Sequence, residues 1–228
     1  SKISGVEFIE IEAVKFVRKF TFKNLLIPFK LFSSVKRCKK ILKELSPDII
    51  FTKGGYVSVP VAMAGKKLKI PVLSHESDYS FGLANKIILR YSKFMFTSFR
   101  DTCEQSNKCI FTGSPIRKEI FEGNAQIIKN QYQPSPNKKN LLIFGGSLGA
   151  KKINQTVFDC INKLTERYNV FHIVGKNNLN KIKAENYYQI GFADNIWDYL
   201  AIADIVVSRA GANSIFELCS LRKPMLLI

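Results

Sequence analysis

The sequence contains few acidic residues, only two histidines and no closely spaced cysteine pair. Its 228 residues include 18 Asp and Glu against 35 Lys and Arg, which gives a formal net charge of +17. The five cysteines form no CxxC pair and have no zinc-ligand spacing with either histidine, which argues against a structural zinc site and for reduced, cytosolic thiols. No apolar run approaches the length of about 18 residues that a membrane-spanning helix requires. We therefore expect neither a membrane-spanning segment nor a structural zinc site within this sequence.

The excess of positive charge predicts an anionic partner: a nucleic acid, an anionic membrane surface or a phosphorylated small molecule. Between residues 13 and 43 there are ten basic residues and no acidic residue, with Phe and Leu interleaved. This pattern is typical of a segment that lies on an anionic membrane, although packing against a core would use the same apolar residues. No nucleic-acid-binding motif accompanies the charge. The expected membrane contacts are Lys15, Phe16, Arg18, Lys19, Phe20, Phe22 and Lys23.

Short apolar runs alternate with helical patterns along the chain, from a predicted strand at residues 6–11 to a last one at 224–228. Strands that alternate with helices indicate an α/β fold with parallel sheets. Residues 121–140 interrupt this alternation with a polar stretch rich in proline and glycine. We therefore expect two Rossmann-like domains around a cleft: residues 1–120, a linker at 121–140, and residues 141–228. Ligands are expected at the carboxyl ends of the strands.

Two glycine-rich runs follow predicted strands. The first, Gly145 to Gly149, opens a helix, so that backbone N–H groups and the Ser147 hydroxyl could face an anion. The second contains Gly54 and Gly55 in the first half of the chain. Glycines also mark ordinary tight turns, which explain each run equally well when it is taken alone.

Residues 208–217 combine several polar features after a predicted strand. Asn213 or Ser214 is placed to cap the next helix. Glu217 could complement the dipole of that helix or accept hydrogen bonds from a ribose diol. Arg117, which follows another turn, could bind a phosphate or remain a solvated surface residue.

A third polar cluster follows the strand that ends near residue 74. His75, Glu76, Asp78 and Asn85 could form a polar floor at the strand end, or they could belong to a capped loop. The second histidine, His172, lies within an apolar strand, and we expect it to be part of the core.

In this order, the motifs resemble those of the MurG family, the peptidoglycan glycosyltransferases with a GT-B fold. The matching runs are KGGYVS (53–58), HESD (75–78), GLANK (82–86), GSPIR (113–117), GGSLGA (145–150), SRAGA (208–212) and Glu217. The resemblance implies transfer of N-acetylglucosamine from UDP-GlcNAc to lipid I, the membrane-bound undecaprenyl-diphospho-MurNAc-pentapeptide, which forms lipid II. It also implies inverting displacement at the anomeric carbon without a cofactor or an obligatory metal.

The resemblance also assigns residues to the two substrates. The uracil would meet the backbone of Ala193, and the ribose would meet Glu217. The expected UDP-GlcNAc contacts are Asp78, Arg117, Ser147, Ala193, Ala212, Asn213, Ser214 and Glu217. The expected acceptor-side residues are Gly54, Gly55, Tyr56, His75, Glu76 and Asn85. Many members carry Asn where Asp78 stands.

Further expectations concern the ends of the chain and the location of the protein. The catalytic base of the family is expected in a glycine-rich loop before residue 1, which makes this chain a fragment. The resemblance implies a peripheral protein on the cytoplasmic face of the bacterial membrane, with no nucleic-acid partner. Two alternatives remain open: a GT-B transferase that glycosylates diacylglycerol, and a non-catalytic basic module that binds membranes or RNA.

Overall fold

A computed structural model describes residues 6–11, 27–146 and 149–228 of the chain. They divide into two compact units, Ser1–Ser114 (unit 1) and Pro115–Ile228 (unit 2). Each unit contains one parallel β-sheet with helices packed against it. The expected α/β architecture with two Rossmann-like units is confirmed.

Unit 1 has a four-stranded parallel sheet whose strands follow the chain order β1-β2-β3-β4. Its strands are β1 (Ile50–Thr52), β2 (Val72–Glu76), β3 (Phe94–Thr97) and β4 (Cys109–Phe111). Its helices are α1 (Ile27–Leu45), α2 (Ser58–Lys67), α3 (Leu83–Tyr91) and the single turn α4 (Arg100–Cys103). Because every connection is a crossover, all four strands end at the same edge of the sheet.

The core of unit 1 lies on one face of this sheet. Helices α1, α2 and α3 contribute buried residues such as Val35, Val59 and Ile88, which pack with Val72 and Met95 of the strands. On the opposite face, three apolar residues are exposed: Phe51, Phe94 and Ile110. The alternation of buried and exposed positions along the strands follows from the period of two in extended backbone.

Unit 2 has a five-stranded parallel sheet in the order β7-β6-β5-β8-β9. Its strands are β5 (Lys139–Phe144), β6 (Tyr168–Ile173), β7 (Tyr187–Ile190), β8 (Ile205–Ser208) and β9 (Met225–Leu227). Its helices are α5 (Ala125–Tyr132), α6 (Lys151–Arg167), α7 (Ile196–Ile202) and α8 (Ala212–Ser220), with a 3₁₀ helix at Lys118–Glu122. The chain runs from β5 to one side and then returns to the other side through β8. Strands β5 and β8 therefore flank the topological switch point of the sheet.

Unit 2 has a core on both faces of its sheet. Ile153, Val157 and Ile161 of α6 pack against one face. The other face is covered by α5, α7 and α8, which contribute buried residues such as Ile128 and Leu200. Both faces of a parallel sheet are normally covered in this way, because the crossovers place helices on each side.

Two segments differ from their sequence-based interpretation. Residues 6–11 form no strand: five of the six are exposed, and within the described residues no strand pairs with them. Alternating apolar residues suit a strand, but they do not supply a pairing partner. Residues 121–140 contain helix α5 rather than an irregular linker, and the two units divide after Ser114. Asn124 caps α5 by accepting a hydrogen bond from the backbone N–H of Gln126.

Candidate functional site

A cavity of about 420 Å³ lies in unit 2 at the carboxyl ends of β5 and β8. Its walls are the loop after β5, the loop after β8 and the first turn of α8. The lining residues are Phe144, Gly145, Gly146, Arg209, Ala210, Gly211, Ser214 and Ile228. The topological switch point is where open parallel sheets bind their ligands, because the loops on either side diverge there. This position makes the cavity the candidate ligand site of unit 2.

Two helices begin beside this cavity without a side-chain cap. Helix α8 starts after Gly211 and α6 starts after Ala150, and neither of these N-cap residues makes a side-chain capping hydrogen bond. The first N–H groups of a helix carry partial positive charge and are available to an anion. Arg209 adds a cationic side chain to the same wall. The arrangement suits a phosphate or diphosphate group.

Arg117 and Glu217 form a salt bridge within unit 2. Both Nε and Nη2 of Arg117 lie 3.0 Å from Oε1 of Glu217. The Glu217 side chain is 17% exposed and that of Arg117 is 54% exposed. Because both guanidinium contacts go to one carboxylate oxygen, the other oxygen, Oε2, takes no part in this pair. The pair fixes the orientation of the Glu217 carboxylate through Oε1 and leaves Oε2 outside the salt bridge.

The structure places the residues expected to bind UDP-GlcNAc at different points. Ser214 lines the cavity, and Ala212 and Asn213 precede it in the first turn of α8. Ala193 follows β7 and packs partly buried against the core of unit 2. Arg117 and Glu217 pair with each other and are not among the lining residues. Asp78 belongs to unit 1, and Ser147 lies outside the described residues.

In unit 1, His75 is buried at the carboxyl end of β2. Its Nε2 donates to the carbonyl oxygen of Gly113 at 3.3 Å, so its Nδ1 accepts from Lys53 Nζ at 3.2 Å. Burial lowers the pKa of His75, which favours this neutral form. Lys53 also donates to Ser77 Oγ at 3.0 Å. Lys53 and Gly113 belong to the matching motif runs but were not among the expected site residues, because only the fold brings these strand ends together.

Glu76 is the last residue of β2 and is also buried. Its carboxylate accepts hydrogen bonds from the backbone N–H of Asp78 and of Gly82, and from Nδ2 of Asn85. Gly54 lies against the Asn85 side chain, since a Cβ at position 54 would come within 2.7 Å of the amide. Four of the expected acceptor-side residues, Gly54, His75, Glu76 and Asn85, are therefore brought together.

The remaining expectations for unit 1 have different outcomes. Gly55 has open space where a Cβ would be, and Tyr56 packs against the unit 1 core. The expected membrane contacts are Lys15, Phe16, Arg18, Lys19, Phe20, Phe22 and Lys23, and all lie outside the described residues. The next part of the basic segment is α1, on which Phe29 and Phe32 are 76% and 69% exposed. No helix in the described ranges is long and apolar enough to cross a membrane.

His172 is a core residue, as its apolar strand indicated. Its Nε2 donates to Asn154 Oδ1 at 3.1 Å, and its Nδ1 accepts from the Tyr187 hydroxyl at 3.0 Å. Asn154 in turn donates to the carbonyl oxygen of Val174 at 2.9 Å. Burial lowers the pKa of His172 to about 4. Across the ranges that the structure describes, no three His, Cys, Asp or Glu side chains are grouped so as to hold a metal ion.

Comparison with known proteins gives matches for both units. The N-terminal domain model of glycosyltransferase family 28 matches residues 1–97, and its C-terminal domain model matches residues 140–228. Together these two models of one family cover most of the chain.

Several curated relatives are named UDP-N-acetylglucosamine–N-acetylmuramyl-(pentapeptide) pyrophosphoryl-undecaprenol N-acetylglucosamine transferase. The protein from Staphylococcus epidermidis is 41% identical over 100% of this chain. A protein of the same name from Bacillus cereus is 42% identical over 98% of this chain. In both cases this chain spans 65% of the relative's length.

Solved structures share the fold. Acinetobacter baumannii MurG superimposes with a TM-score of 0.67 at 24% identity, covering 96% of this chain and 62% of that one. The UDP-GlcNAc 2-epimerase from Neisseria meningitidis gives 0.64 at 15% identity, covering 93% and 66%. The resemblance to the MurG family that was drawn from the motifs is confirmed by the curated relatives. The chain belongs to glycosyltransferase family 28.

Proposed function

We propose that the protein transfers N-acetylglucosamine from UDP-GlcNAc to lipid I and so forms lipid II. The observation that supports this most strongly is the 41% identity, over the full chain, to relatives named for that transfer. The chain spans 65% of their length, so the activity is proposed for the protein at its natural full length.

Unit 2 would bind the donor. Its cavity lies at the switch point, and two uncapped helix N-termini and Arg209 offer positive charge for the diphosphate. Glu217 would accept hydrogen bonds from the ribose hydroxyls through the oxygen that Arg117 leaves free. The other expected donor contacts are Asp78, Arg117, Ser147, Ala193, Ala212, Asn213 and Ser214.

Unit 1 would bind the acceptor through the loops that follow β1 and β2. The loop after β1 carries the Gly54-Gly55 turn, and His75 lies at the end of β2, where the second loop begins. The backbone of a glycine turn can approach a diphosphate closely, as the lipid-linked acceptor would require.

The reaction would be a single displacement with inversion. The acceptor hydroxyl attacks the anomeric carbon, and the bond from that carbon to the diphosphate oxygen breaks as UDP leaves. Helix N-termini and arginine stabilise the charge that develops on the leaving diphosphate. A base removes the hydroxyl proton, and no described residue is assigned that role.

The basic segment would hold the protein on the cytoplasmic face of the membrane. On α1, the exposed Phe29 and Phe32 lie among Lys30, Lys36 and Lys40, which are also exposed. Apolar side chains that insert beside cationic ones are suited to an anionic lipid surface. The residues expected to extend this contact are Lys15, Phe16, Arg18, Lys19, Phe20, Phe22 and Lys23.

The proposed reaction is tested with the full-length protein, labelled UDP-GlcNAc and lipid I in vesicles. We expect labelled lipid II and an equal amount of UDP. Transfer to diacylglycerol instead would support the other membrane transferase. Conversion of UDP-GlcNAc without any acceptor would indicate an epimerase. RNA binding with a steep salt dependence and no affinity for UDP-GlcNAc would support the non-catalytic module.

The donor assignment is tested with Glu217→Gln in the same protein. Losing the charged acceptor of two ribose hydrogen bonds should raise the KM for UDP-GlcNAc by about 10- to 150-fold. Glu166→Gln is the matched control, because Glu166 is exposed at the far end of α6. An unchanged donor KM in a folded Glu217→Gln protein would reject the assignment.

The membrane assignment is tested by replacing Lys15, Arg18, Lys19 and Lys23 together with Gln. Each basic residue near an anionic surface contributes about 1 kcal/mol, so binding to anionic vesicles should fall by orders of magnitude. The control with the same charge change replaces Lys163, Arg167, Lys181 and Lys183, which are exposed in unit 2. Equal vesicle binding by the two variants would reject the surface contact. Lost turnover of a short-chain soluble acceptor would place the basic segment in the acceptor site or the core.

A further inference from the structure

The Glu76 carboxylate accepts three hydrogen bonds, all from residues that follow it closely in the chain. It is 5% exposed, and it accepts the Asp78 N–H at 3.0 Å on Oε1. On Oε2 it accepts the Gly82 N–H at 3.1 Å and Asn85 Nδ2 at 2.8 Å. A buried carboxylate that is satisfied by three N–H donors has little capacity left for a ligand.

The positions of these three donors show that Glu76 holds the loop between β2 and α3 and the start of α3. Asp78 and Gly82 lie near the two ends of the loop that joins β2 to α3. Gly82 is also the N-cap residue of α3, which has no side-chain cap of its own. Glu76 therefore fixes the start of the helix and both ends of the loop from the last position of the preceding strand.

Asn85 connects Glu76 to a second loop, the turn that follows β1. Its Nδ2 contacts Glu76 and, at 3.4 Å, the His75 carbonyl oxygen. Gly54 lies directly against the same amide group. The orientation of Asn85 thus sets the surface on which the turn after β1 rests, and Glu76 sets the orientation of Asn85.

The tip of the β2–α3 loop is held separately, by contacts to α4. Thr102 Oγ1 donates to the Tyr79 carbonyl oxygen at 2.6 Å, and the Tyr79 hydroxyl donates to Asp101 Oδ2 at 2.5 Å. Asp78 lies between the two anchors. Its backbone is bound to Glu76, while its side chain is exposed.

We propose that Glu76 is a positioning residue for the transfer reaction. It does not touch either substrate. It fixes the backbone of the β2–α3 loop and, through Asn85, the surface under the Gly54 turn, so that these two loops meet the lipid-linked acceptor in one arrangement. This inference rests on the proposed function, which assigns the acceptor to unit 1 and the nucleotide to unit 2.

Glu76→Gln is a sharp test because an amide cannot satisfy these three donors. If the amide oxygen takes the place of Oε2, the amide NH2 faces the N–H of Asp78. If the amide is flipped, the NH2 faces the N–H of Gly82. In either orientation one backbone N–H loses its acceptor while the volume of the side chain is kept.

The experiment compares the full-length wild type, Glu76→Gln and Glu104→Gln, a control at an exposed glutamate of unit 1. We expect Glu76→Gln to lower kcat/KM for lipid I by about 10-fold or more, which matches the loss of one buried hydrogen bond. The Kd for UDP should stay within about twofold, because the nucleotide is assigned to unit 2. Amide hydrogen exchange at Asp78 or Gly82 should accelerate by about 10-fold or more.

Two results would overturn the proposal. The first is normal kinetics with lipid I, whether or not amide exchange is faster, because Glu76 would then be a purely structural residue. An equal loss of UDP affinity would indicate a general defect.

If Glu76→Gln does not fold, Asn85→Ala tests the link to Gly54, because it leaves both backbone contacts of Glu76 in place. It should lower kcat/KM for lipid I by a smaller factor, and an unchanged value would contradict the proposal. If the wild type makes no lipid II, the proposed function fails instead. Hydrogen exchange at Asp78 and Gly82 still tests whether Glu76 holds the β2–α3 loop.

Discussion

The two units hold the loops at their strand ends by different means. In unit 1, buried polar side chains (Glu76, His75 and Asn85) bind the backbone of the loops around them. In unit 2, the corresponding loops are formed by glycines and helix N-termini, and they enclose an open cavity of about 420 Å³. The β2–α3 loop of unit 1 is held by side chains, whereas the loops that line the cavity of unit 2 depend on positions without side chains.

This difference determines which substitutions each unit tolerates. A loop held by a side chain fails when that side chain changes its hydrogen-bonding groups, since a buried donor is then left without a partner. A loop that packs backbone against backbone fails when any Cβ is added, because neither backbone can move away. Gly→Ala should therefore have a larger effect where the added Cβ meets backbone, as at Gly149 in unit 2, than where it meets a side chain, as at Gly54 in unit 1.

The largest effect is expected for Gly149→Ala in unit 2. Gly149 has φ +75°, and a Cβ there would overlap the Val174 carbonyl oxygen. Backbone strain and the steric overlap should together destabilise unit 2 by about 3 kcal/mol or more. Urea unfolding followed by fluorescence of Trp197, the one Trp of the chain, measures unit 2 directly.

Gly146→Ala is the control for this prediction. Gly146 has φ +91° but open space around its Cβ position, so only the backbone strain remains. Its effect should be about 1 kcal/mol. Equal destabilisation by the two variants would show that backbone conformation, and not the close approach to Val174, controls this loop.

The next largest effect is the pH dependence of stability, which follows from the one histidine in each unit. Burial lowers the pKa of His172 in unit 2 to about 4 and also lowers the pKa of His75 in unit 1. The unfolded chain takes up a proton near the ordinary value of about 6.5, so the neutral buried form is fully stabilising above that pH. For His172 this stability of about 3 kcal/mol should be lost as the pH falls from about 6.5 to 4.

The measurement is urea unfolding, followed by Trp197 fluorescence between pH 7 and pH 4, for the wild type and for His172→Gln. The variant should lose less stability across this range, because its side chain does not titrate. The loss at neutral pH of the bond to Tyr187 or Asn154 does not affect the comparison, since only the pH dependence is compared. The same pH dependence in both proteins would contradict the assigned pKa.

A smaller effect is expected for Gly54→Ala in unit 1. Here the added Cβ meets the Asn85 amide at 2.7 Å, at the end of a side chain that can rotate if it releases Glu76. The extra destabilisation relative to Gly55→Ala, which has the same φ of +83° and open space, should be about 1–2 kcal/mol. Thermal unfolding of the two variants measures the difference, and no difference would mean that Asn85 does not support the turn.

The sequence predicted the alternation of strands and helices well, because periodicity and turn residues are local properties. Helix α5 was missed because Gly123, Pro134 and Pro136 outweighed a two-turn helix between them. Its Asn124 cap was a usable local signal. Strand β7 was missed as well, since a four-residue strand after a polar stretch has too few positions to show a period.

The candidate site was predictable in its residue types but not in its contacts. The motifs identified His75, Glu76 and Asn85 as a polar cluster, and the structure places the first two at the end of β2 and Asn85 in the first turn of α3. That Glu76 faces the N–H groups of Asp78 and Gly82, and that Arg117 pairs with Glu217 one hundred residues away, depends on how strands and helices pack. Such pairings have no sequence period and become visible only in the folded chain.

The smallest effect is expected for Asp101→Asn, which removes the exposed contact between Asp101 and Tyr79 at the tip of the β2–α3 loop. Asp101 accepts a hydrogen bond from the Tyr79 hydroxyl, and this bond is the main cause that raises the pKa of Tyr79. Asp101→Asn should return that pKa toward its ordinary value of about 10, which the ¹³Cζ shift of labelled Tyr79 reports in a pH titration. The unfolding midpoint should not change measurably, because solvated contacts of this kind contribute little to stability. A clear loss of stability would mean that the exposed tip, and not buried Glu76, carries the main anchor of the loop, and the contrast between the two units would then weaken.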